Sequence, residues 1–173
     1  MTPCSPVKPS VLQVAKKLTM GLDMKDNKLT GIPPEFCLGA VVNPGADPIE
    51  PEIFKMEKKI AAGAEFFQTQ AVYDIKVFEN FVKRTSHLKT KILAGIVLLK
   101  SSTMAKYMND NVAGVSVPER LIKEIDEAED KQACSVNIAS RLIKELKPLS
   151  QGVHIMPIGW NKLVPKVLDA SNL

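Results

Sequence analysis

The stretch that decides the fold is residues 36–69, which read FCLGAVVNPGADPIEPEIFKMEKKIAAGAEFFQT. It begins with a short apolar run, residues 36–42, of the kind that forms a buried strand, and a loop rich in proline and glycine ends that run. Residues 50–62 then carry apolar side chains at helical spacing, and Gly63 closes the predicted helix. Residues 64–69 form a second apolar run. A strand, a helix and a strand in this order predict a βαβ unit of a parallel sheet.

The same alternation continues on both sides of this stretch. Upstream, Ser10 is a predicted cap for a helix over residues 11–19. Downstream, the patterns predict a helix over 75–84, a strand over 91–99, helices over 103–108, 118–128 and 132–146, a strand over 153–156 and a helix over 161–168. Four such βα units make half of an eight-stranded (βα)8 barrel of the TIM type. We therefore predict an α/β half barrel, with residues 1–173 as a single domain.

A half barrel of this kind has two open sheet edges. Unpaired backbone groups and exposed apolar flanks at such edges make a stable monomer physically awkward. The pattern therefore predicts either a homo-oligomer or a partner chain that supplies the remaining strands.

Composition excludes several classes of protein. No apolar run approaches the roughly 20 residues that span a bilayer, and the proline-rich start does not resemble a signal peptide, so we expect a cytoplasmic protein without a membrane span. Three widely separated cysteines, Cys4, Cys37 and Cys134, predict reduced thiols and no metal site. The net charge of +4 and the aromatic content of 5% predict no nucleic-acid surface, although a mild basic excess suits an anionic cofactor.

Polar residues cluster where the predicted strands end, which is where parallel sheets bind ligands. Those ends, and the segments around them, carry a specific resemblance. The ordered segments are Gly39-Ala40-Val41-Val42-Asn43-Pro44, residues 62–70 (AGAEFFQTQ), Leu93-Ala94-Gly95-Ile96, residues 113–118 (AGVSVP) and Gly152-Val153-His154-Ile155-Met156.

Through nearly its whole length the chain resembles the methylenetetrahydrofolate reductases, and it is similar to the C-terminal half of their barrel. The resemblance implies a flavoprotein oxidoreductase of one-carbon metabolism and methionine biosynthesis. Such an enzyme passes a hydride from NADH or NADPH through FAD to 5,10-methylenetetrahydrofolate, which yields 5-methyltetrahydrofolate.

The resemblance also implies a folate site. Gln70 matches a glutamine that contacts the pterin and the nicotinamide in turn, and a side-chain amide offers both a donor and an acceptor for that task. The segment Lys100-Ser101-Ser102 follows the third strand, where the family folds a loop over the substrate, and Ser102 is its predicted substrate contact. Trp160 stands near an arginine that some members place beside the flavin or folate. Each of the three has a structural alternative. Gln70 could be a strand-end amide that bonds to backbone groups, Ser102 could belong to an ordinary polar loop, and Trp160 could be an aromatic plug at the barrel rim. His154 is interpreted as a packed barrel residue rather than a proton donor.

For FAD, the resemblance implies an acidic residue and basic residues that bind the ribose and the pyrophosphate, and two side chains nearer the flavin ring. Lysines neutralise phosphate as point charges, whereas a solvated helix face is the commoner meaning of such a charge run taken alone. The matching positions are Glu52, Lys55, Lys58 and Lys59, together with Asn43 and Asp47, which replace a tyrosine and a histidine of some members.

Two motifs of the family are absent from the 173 residues. One is a Phe-Glu-Phe-Phe-Pro-type strand whose glutamate protonates the folate, and the other is an Arg-Gly-Asp stretch near the flavin. A general acid must lie within hydrogen-bond reach of its acceptor, so we expect no catalytic residue here and no activity without a complementary N-terminal half. The alternatives are a non-catalytic interaction subunit or relic half barrel that needs a partner, and a folate-dependent methyltransferase, for which no corrinoid or zinc motif is present.

Overall fold

The computed structural model describes residues 10–173; Cys4 and the first prolines lie outside this range. The elements are α1 (Val11–Thr19), β1 (Gly39–Val42), α2 (Glu50–Ala61), β2 (Phe66–Ala71), α3 (Ile75–Thr85), β3 (Lys91–Val97), α4 (Ser102–Asn111), α5 (Glu119–Glu127), α6 (Lys131–Leu146), β4 (Gly152–Met156), a 3-10 turn (Asn161–Leu163) and α7 (Val164–Ser171). Strands and helices alternate along the chain in the predicted order.

The four strands form one sheet in the order β1-β2-β3-β4, and every neighbouring pair is parallel. Adjacent parallel strands need crossover connections, which α2, α3 and the α4–α6 segment provide. The prediction of an α/β fold that forms part of a TIM-type barrel is confirmed.

One face of the sheet is covered by helices. Along β2 and β3, Phe67, Thr69, Ile92, Ala94 and Ile96 are all buried. They alternate with side chains of the other face, because successive side chains of a strand point to opposite sides. The buried set packs with helix residues such as Met56, Phe78, Ile125 and Ile143 into a single hydrophobic core. That core fixes the strands and therefore the position of their carboxyl ends.

The other face of the sheet, here called the open face, bears Val41, Gln68, Gln70, Leu93 and His154, which are half-buried or exposed. Val41 is 64% exposed, an unusual state for a strand valine. In a complete barrel this face would line the interior, which is normally filled by side chains from all eight strands. The exposed apolar surface is therefore explained by a sheet with four strands.

Several predicted boundaries were wrong. The first strand begins at Gly39 rather than residue 36, because its register with β2 starts there, opposite Phe66, and because Phe36 is 47% exposed. The second runs from Phe66 to Ala71, since the Ala64 amide still bonds to Lys59 at the end of α2. The third ends at Val97. The last helix starts with a 3-10 turn and continues to Ser171.

Within residues 10–173, no helix combines the length and apolar character needed to cross a bilayer. The same part of the chain contains no cluster of histidine, cysteine, aspartate and glutamate side chains arranged to hold a metal ion.

Candidate functional site

A bulge in β2 determines how Gln70 is presented. The register between β2 and β3 shifts between Gln68 and Ala71, so one residue of β2 has no direct partner. Bulges bend a strand and re-aim the side chain that they carry. Gln70 lies at this bulge near the carboxyl end of β2 and is exposed, and within residues 10–173 its side-chain amide has no hydrogen-bond partner. The amide is thus free to bind a ligand.

Two residues that the sequence interpretation did not single out hold this bulge. The buried Thr69 hydroxyl accepts the Gly95 N–H at 2.8 Å and donates to the Gln70 carbonyl at 2.7 Å. A Cβ at Gly95 would lie 2.5 Å from the Thr69 carbonyl oxygen and 2.8 Å from that of Gln70. Only glycine permits such a close backbone approach. A glycine inside the apolar run of β3 is the signal that could have indicated this feature.

Asn43 is engaged in a contact between two loops. Its side-chain nitrogen donates to the Ala113 carbonyl at 2.9 Å, and its side-chain oxygen accepts the Gly45 N–H at 3.2 Å. The loop after β1 approaches the α4–α5 connection so closely that a Cβ at Gly45 would lie 2.0 Å from the Gly114 carbonyl oxygen. Asn43 therefore joins the loop after β1 to the α4–α5 connection, and its predicted flavin contact stays a prediction.

Three of the four predicted cofactor residues of α2 share one stripe of the helix. Glu52, Lys55 and Lys59 are three and seven residues apart, a spacing that places side chains on one face. Lys55 pairs with the largely buried Glu52 carboxylate at 3.1 Å. The stripe therefore brings two ammonium groups and one carboxylate together beside the carboxyl end of β1.

This stripe also contacts the open edge of β1. The Leu38 carbonyl accepts the N–H of Glu65, the residue before β2. Because the backbone groups of successive strand residues point to opposite sides, those of Val41 and Asn43 point away from β2. The Lys59 ammonium donates to the Val41 carbonyl at 2.6 Å, and the Asn43 N–H donates to Glu52 at 3.4 Å. Side chains of α2 thus satisfy backbone groups that a neighbouring strand would otherwise pair.

Lys58 and Asp47 lie apart from this stripe. The Lys58 ammonium stacks over the Phe54 ring, 4.3 Å from its centroid, on the outward side of α2. Asp47 is exposed in the loop before α2, where it precedes Pro48. The structure therefore groups Glu52, Lys55 and Lys59 but not all of the predicted cofactor residues.

The predicted folate residues of the second half of the chain lie near the ends of β3 and β4. Ser102 begins α4 and donates from its hydroxyl to the Asp126 carboxylate at 2.5 Å, which ties α4 to α5. Trp160 is half-buried in the turn after β4, and the Lys100 ammonium lies 5.5 Å from the centroid of its indole ring. His154 pairs in register with Gly95 and faces the open side of the sheet. Lys100 begins the segment that the sequence analysis placed over the substrate, but only Ser102 of that segment was predicted to bind it.

A cavity of about 260 Å³ lies between the loop after β1 and the start of α3, on the helix side of the sheet. Its lining includes Pro44, Ala71, Tyr73, Asp74 and Val115, and none of the predicted site residues. The Tyr73 hydroxyl donates to the Val97 carbonyl at 3.0 Å, and burial raises the pKa of this phenol. The Asp74 carboxylate caps α3. The Tyr73 hydroxyl and the Asp74 carboxylate of this cavity are therefore engaged, and the open face, which carries Gln70, is the better candidate site.

Comparison with known proteins agrees with this fold. Residues 32–172 match the methylenetetrahydrofolate reductase family. Methylenetetrahydrofolate reductase 2 of Schizosaccharomyces pombe is 26% identical over an aligned region that covers 80% of this chain and 25% of that protein. A solved structure of an uncharacterized protein from Clostridium thermocellum, described as binding two copies of 5-methyl-5,6,7,8-tetrahydrofolic acid, is similar with a TM-score of 0.51. It is 23% identical and the likeness covers 81% of this chain and 52% of that chain, so it supports the fold alone.

Proposed function

The chain belongs to the methylenetetrahydrofolate reductase family, and we propose that it supplies the folate-binding and part of the flavin-binding strand ends of a reductase that converts 5,10-methylenetetrahydrofolate to 5-methyltetrahydrofolate. The donor would be NADH or NADPH. The observation that carries this proposal is Gln70, which the β2 bulge presents with an unengaged amide on the open face. The similar protein from Clostridium thermocellum is described as binding 5-methyl-5,6,7,8-tetrahydrofolic acid, and the proposal takes the same class of ligand for this chain.

FAD fits the charges beside β1. Two ammonium groups, Lys55 and Lys59, suit a pyrophosphate, and the Glu52 carboxylate can accept hydrogen bonds from ribose hydroxyls. These residues would hold FAD, which when bound carries the hydride from the nicotinamide to the folate. Lys58 would contribute only long-range charge from its outward position, and Asn43 would keep the loop after β1 in place.

Gln70 would orient the substrate. Its amide can donate to a ring nitrogen or carbonyl of the pterin while it accepts from an amino group of the same ring. A side chain on a strand of a packed sheet offers these groups in a fixed position, which lowers the entropic cost of aligning the reacting atoms. No side chain within residues 10–173 matches the family's protonating glutamate.

We further propose that the preceding βα units of such a barrel complete the site, as a partner chain or as part of a longer one. The chain spans about a quarter of the length of the yeast relative and about half of that of the solved structure. The open face, with Val41 64% exposed, offers a surface that those units would cover. The single core supports one domain, and the free thiols of Cys37 and Cys134 support a cytoplasmic protein.

The test is reconstitution. The purified chain would be mixed with an N-terminal half of a related reductase that carries the Phe-Glu-Phe-Phe-Pro-type strand, and flavin absorbance would be followed as NADH and then methylenetetrahydrofolate are added. The proposal expects flavin binding by the mixture, reduction by NADH and reoxidation by the folate. The second candidate is a non-catalytic interaction subunit, and the motive for it is that the 173 residues lack the glutamate motif. Tight association of the two halves without flavin turnover would support this second candidate instead.

A further inference from the structure

Side chains of α2 close the open edge of β1. The Lys59 ammonium donates to the Val41 carbonyl at 2.6 Å, and the Glu52 carboxylate accepts the Asn43 N–H at 3.4 Å. Unpaired backbone groups at a sheet edge invite pairing with another chain, and proteins commonly protect such an edge with charged side chains, especially lysine. Lys59 and Glu52 are here called the latch, because they hold the groups through which a further strand would join the sheet.

The latch and a neighbouring strand exclude one another. Paired strands lie about 4.8 Å apart, which leaves no room for the Lys59 ammonium between them. A residue has a single backbone N–H, so that of Asn43 serves either the Glu52 carboxylate or the carbonyl of a strand. A strand that pairs with β1 must therefore displace both side chains and take over their backbone partners.

The position of α1 indicates which strand would do so. Lys16, in the last turn of α1, lines a groove together with Leu38 and Glu65, the residues that precede β1 and β2. Leu12, in the first turn, packs against the hydrophobic core. This is where a right-handed crossover would place the helix that connects a parallel strand to β1. The strand that fits the β1 edge is therefore the one that precedes such a helix in a βαβ unit.

A second copy of this chain fits the same edge less well. If β4 of one copy paired with β1 of another, the helix after β4 and the helix before β1 would meet at one junction. These helices are α7, which packs on α6, and α1. In a βα barrel a single helix covers each such junction, so the two would compete for one place. A complementary N-terminal half that ends with its last strand avoids this competition.

We propose that Lys59 and Glu52 hold the β1 edge closed in the separate chain, and that a parallel strand of the complementary N-terminal half opens this latch when it docks. Docking then releases the ammonium and the carboxylate from the backbone of Val41 and Asn43. This inference rests on the proposed function, which assigns both groups to FAD, and adds that they become free for the pyrophosphate and the ribose when the strand pairs. Because coupling between two binding events is reciprocal, FAD on the released groups strengthens docking.

The experiment measures how tightly the whole chain binds an N-terminal half of a related reductase that ends with its fourth strand and is folded by circular dichroism. Calorimetric titrations without FAD compare the wild type with Lys59→Met, which removes the ammonium but keeps an apolar stem, and with Lys123→Met. Lys123 is the matched control, because it is exposed on α5, in the connection between β3 and β4, and pairs with Glu127 at 3.7 Å.

We expect Lys59→Met to bind the half about fivefold more tightly than the wild type, because docking no longer breaks a hydrogen bond of about 1 kcal/mol. Lys123→Met should bind like the wild type. Equal or weaker binding by Lys59→Met overturns the inference, and so does the absence of association with the folded half. Sedimentation of each chain alone tests the other occupant: a dimer that forms or tightens in Lys59→Met would show that a second copy takes the edge, which also overturns the inference.

Repeating the titrations with FAD separates this inference from the function on which it rests. FAD should tighten docking of the wild type more than that of Lys59→Met. A Lys59 effect without FAD, combined with no response to FAD, leaves the latch standing and counts against the proposed flavin site. Docking that FAD strengthens, combined with equal affinities of wild type and Lys59→Met without FAD, leaves the flavin site standing and overturns the latch.

Discussion

Replacing Thr69 by valine tests whether the β2 bulge is held by a side-chain hydroxyl. The substitution keeps the shape of the side chain, which is 4% exposed, but removes both the acceptor for the Gly95 N–H and the donor to the Gln70 carbonyl. A buried N–H that loses its partner costs about 1–3 kcal/mol. The extra methyl contact of valine offsets a part of this, so we expect a net loss of about 2 kcal/mol in the free energy of unfolding.

The assay is urea unfolding, with the midpoint compared at constant slope. Thr85→Val is the matched control, because Thr85 is equally buried but its hydroxyl donates to the Phe81 carbonyl within the same helix. That change leaves no buried N–H without a partner and should alter stability by no more than about 0.5 kcal/mol. A Thr69→Val variant as stable as Thr85→Val would refute the reasoning about the bulge.

Three further results are expected. Gly95→Ala places a methyl group 2.5 Å from the Thr69 carbonyl oxygen, so the sheet must shift. Urea unfolding should show that the free energy of unfolding falls by about 1–3 kcal/mol. An unchanged midpoint would contradict this close approach. The Arg84 guanidinium donates to the Glu50 carboxylate at 2.6 Å and lowers the pKa of that carboxyl. Any stability that the pair contributes is therefore present at neutral pH and is lost as the pH falls through the lowered pKa. Carboxyl NMR titration should show the pKa of Glu50 rising in Arg84→Ala, and no change would count against the pair. Burial raises the pKa of the Cys134 thiol, and the nearby Glu124 raises it further. The alkylation rate of Cys134 should therefore keep increasing above the pH at which an ordinary thiol has ionised. A plateau of this rate at or below that pH would disprove the shift.

The order of strands and helices could be predicted because hydrophobic periodicity is a local property of the chain. The apolar runs around residues 39–42 and 91–97 and the helical spacing of residues 50–61 each carry their own signal. Strand ends were harder to predict, since pairing with a neighbour decides them. Phe36 is apolar and lies beside the first strand in sequence, yet β1 starts at Gly39, where pairing with β2 begins.

The candidate site could be predicted only in part. Family resemblance indicated Gln70, but the Thr69 hydroxyl and the backbone contact of Gly95 that shape its surroundings depend on the register of two strands that are distant in sequence. Likewise, the positions of Lys55, Lys58 and Lys59 in the sequence do not reveal that Lys59 binds the open edge of β1 whereas Lys58 stacks on Phe54. Such choices are made by tertiary contacts.

The most direct test of the central claim, that this chain presents a folate site at its strand ends, is calorimetric titration of the purified chain with 5-methyltetrahydrofolate. Wild type would be compared with Gln70→Ala and with Gln132→Ala, which removes an exposed glutamine on α6. We expect binding by wild type and Gln132→Ala, and binding about tenfold weaker in Gln70→Ala, the loss for a pair of hydrogen bonds. Equal binding by all three chains, or binding by none of them, would contradict the account.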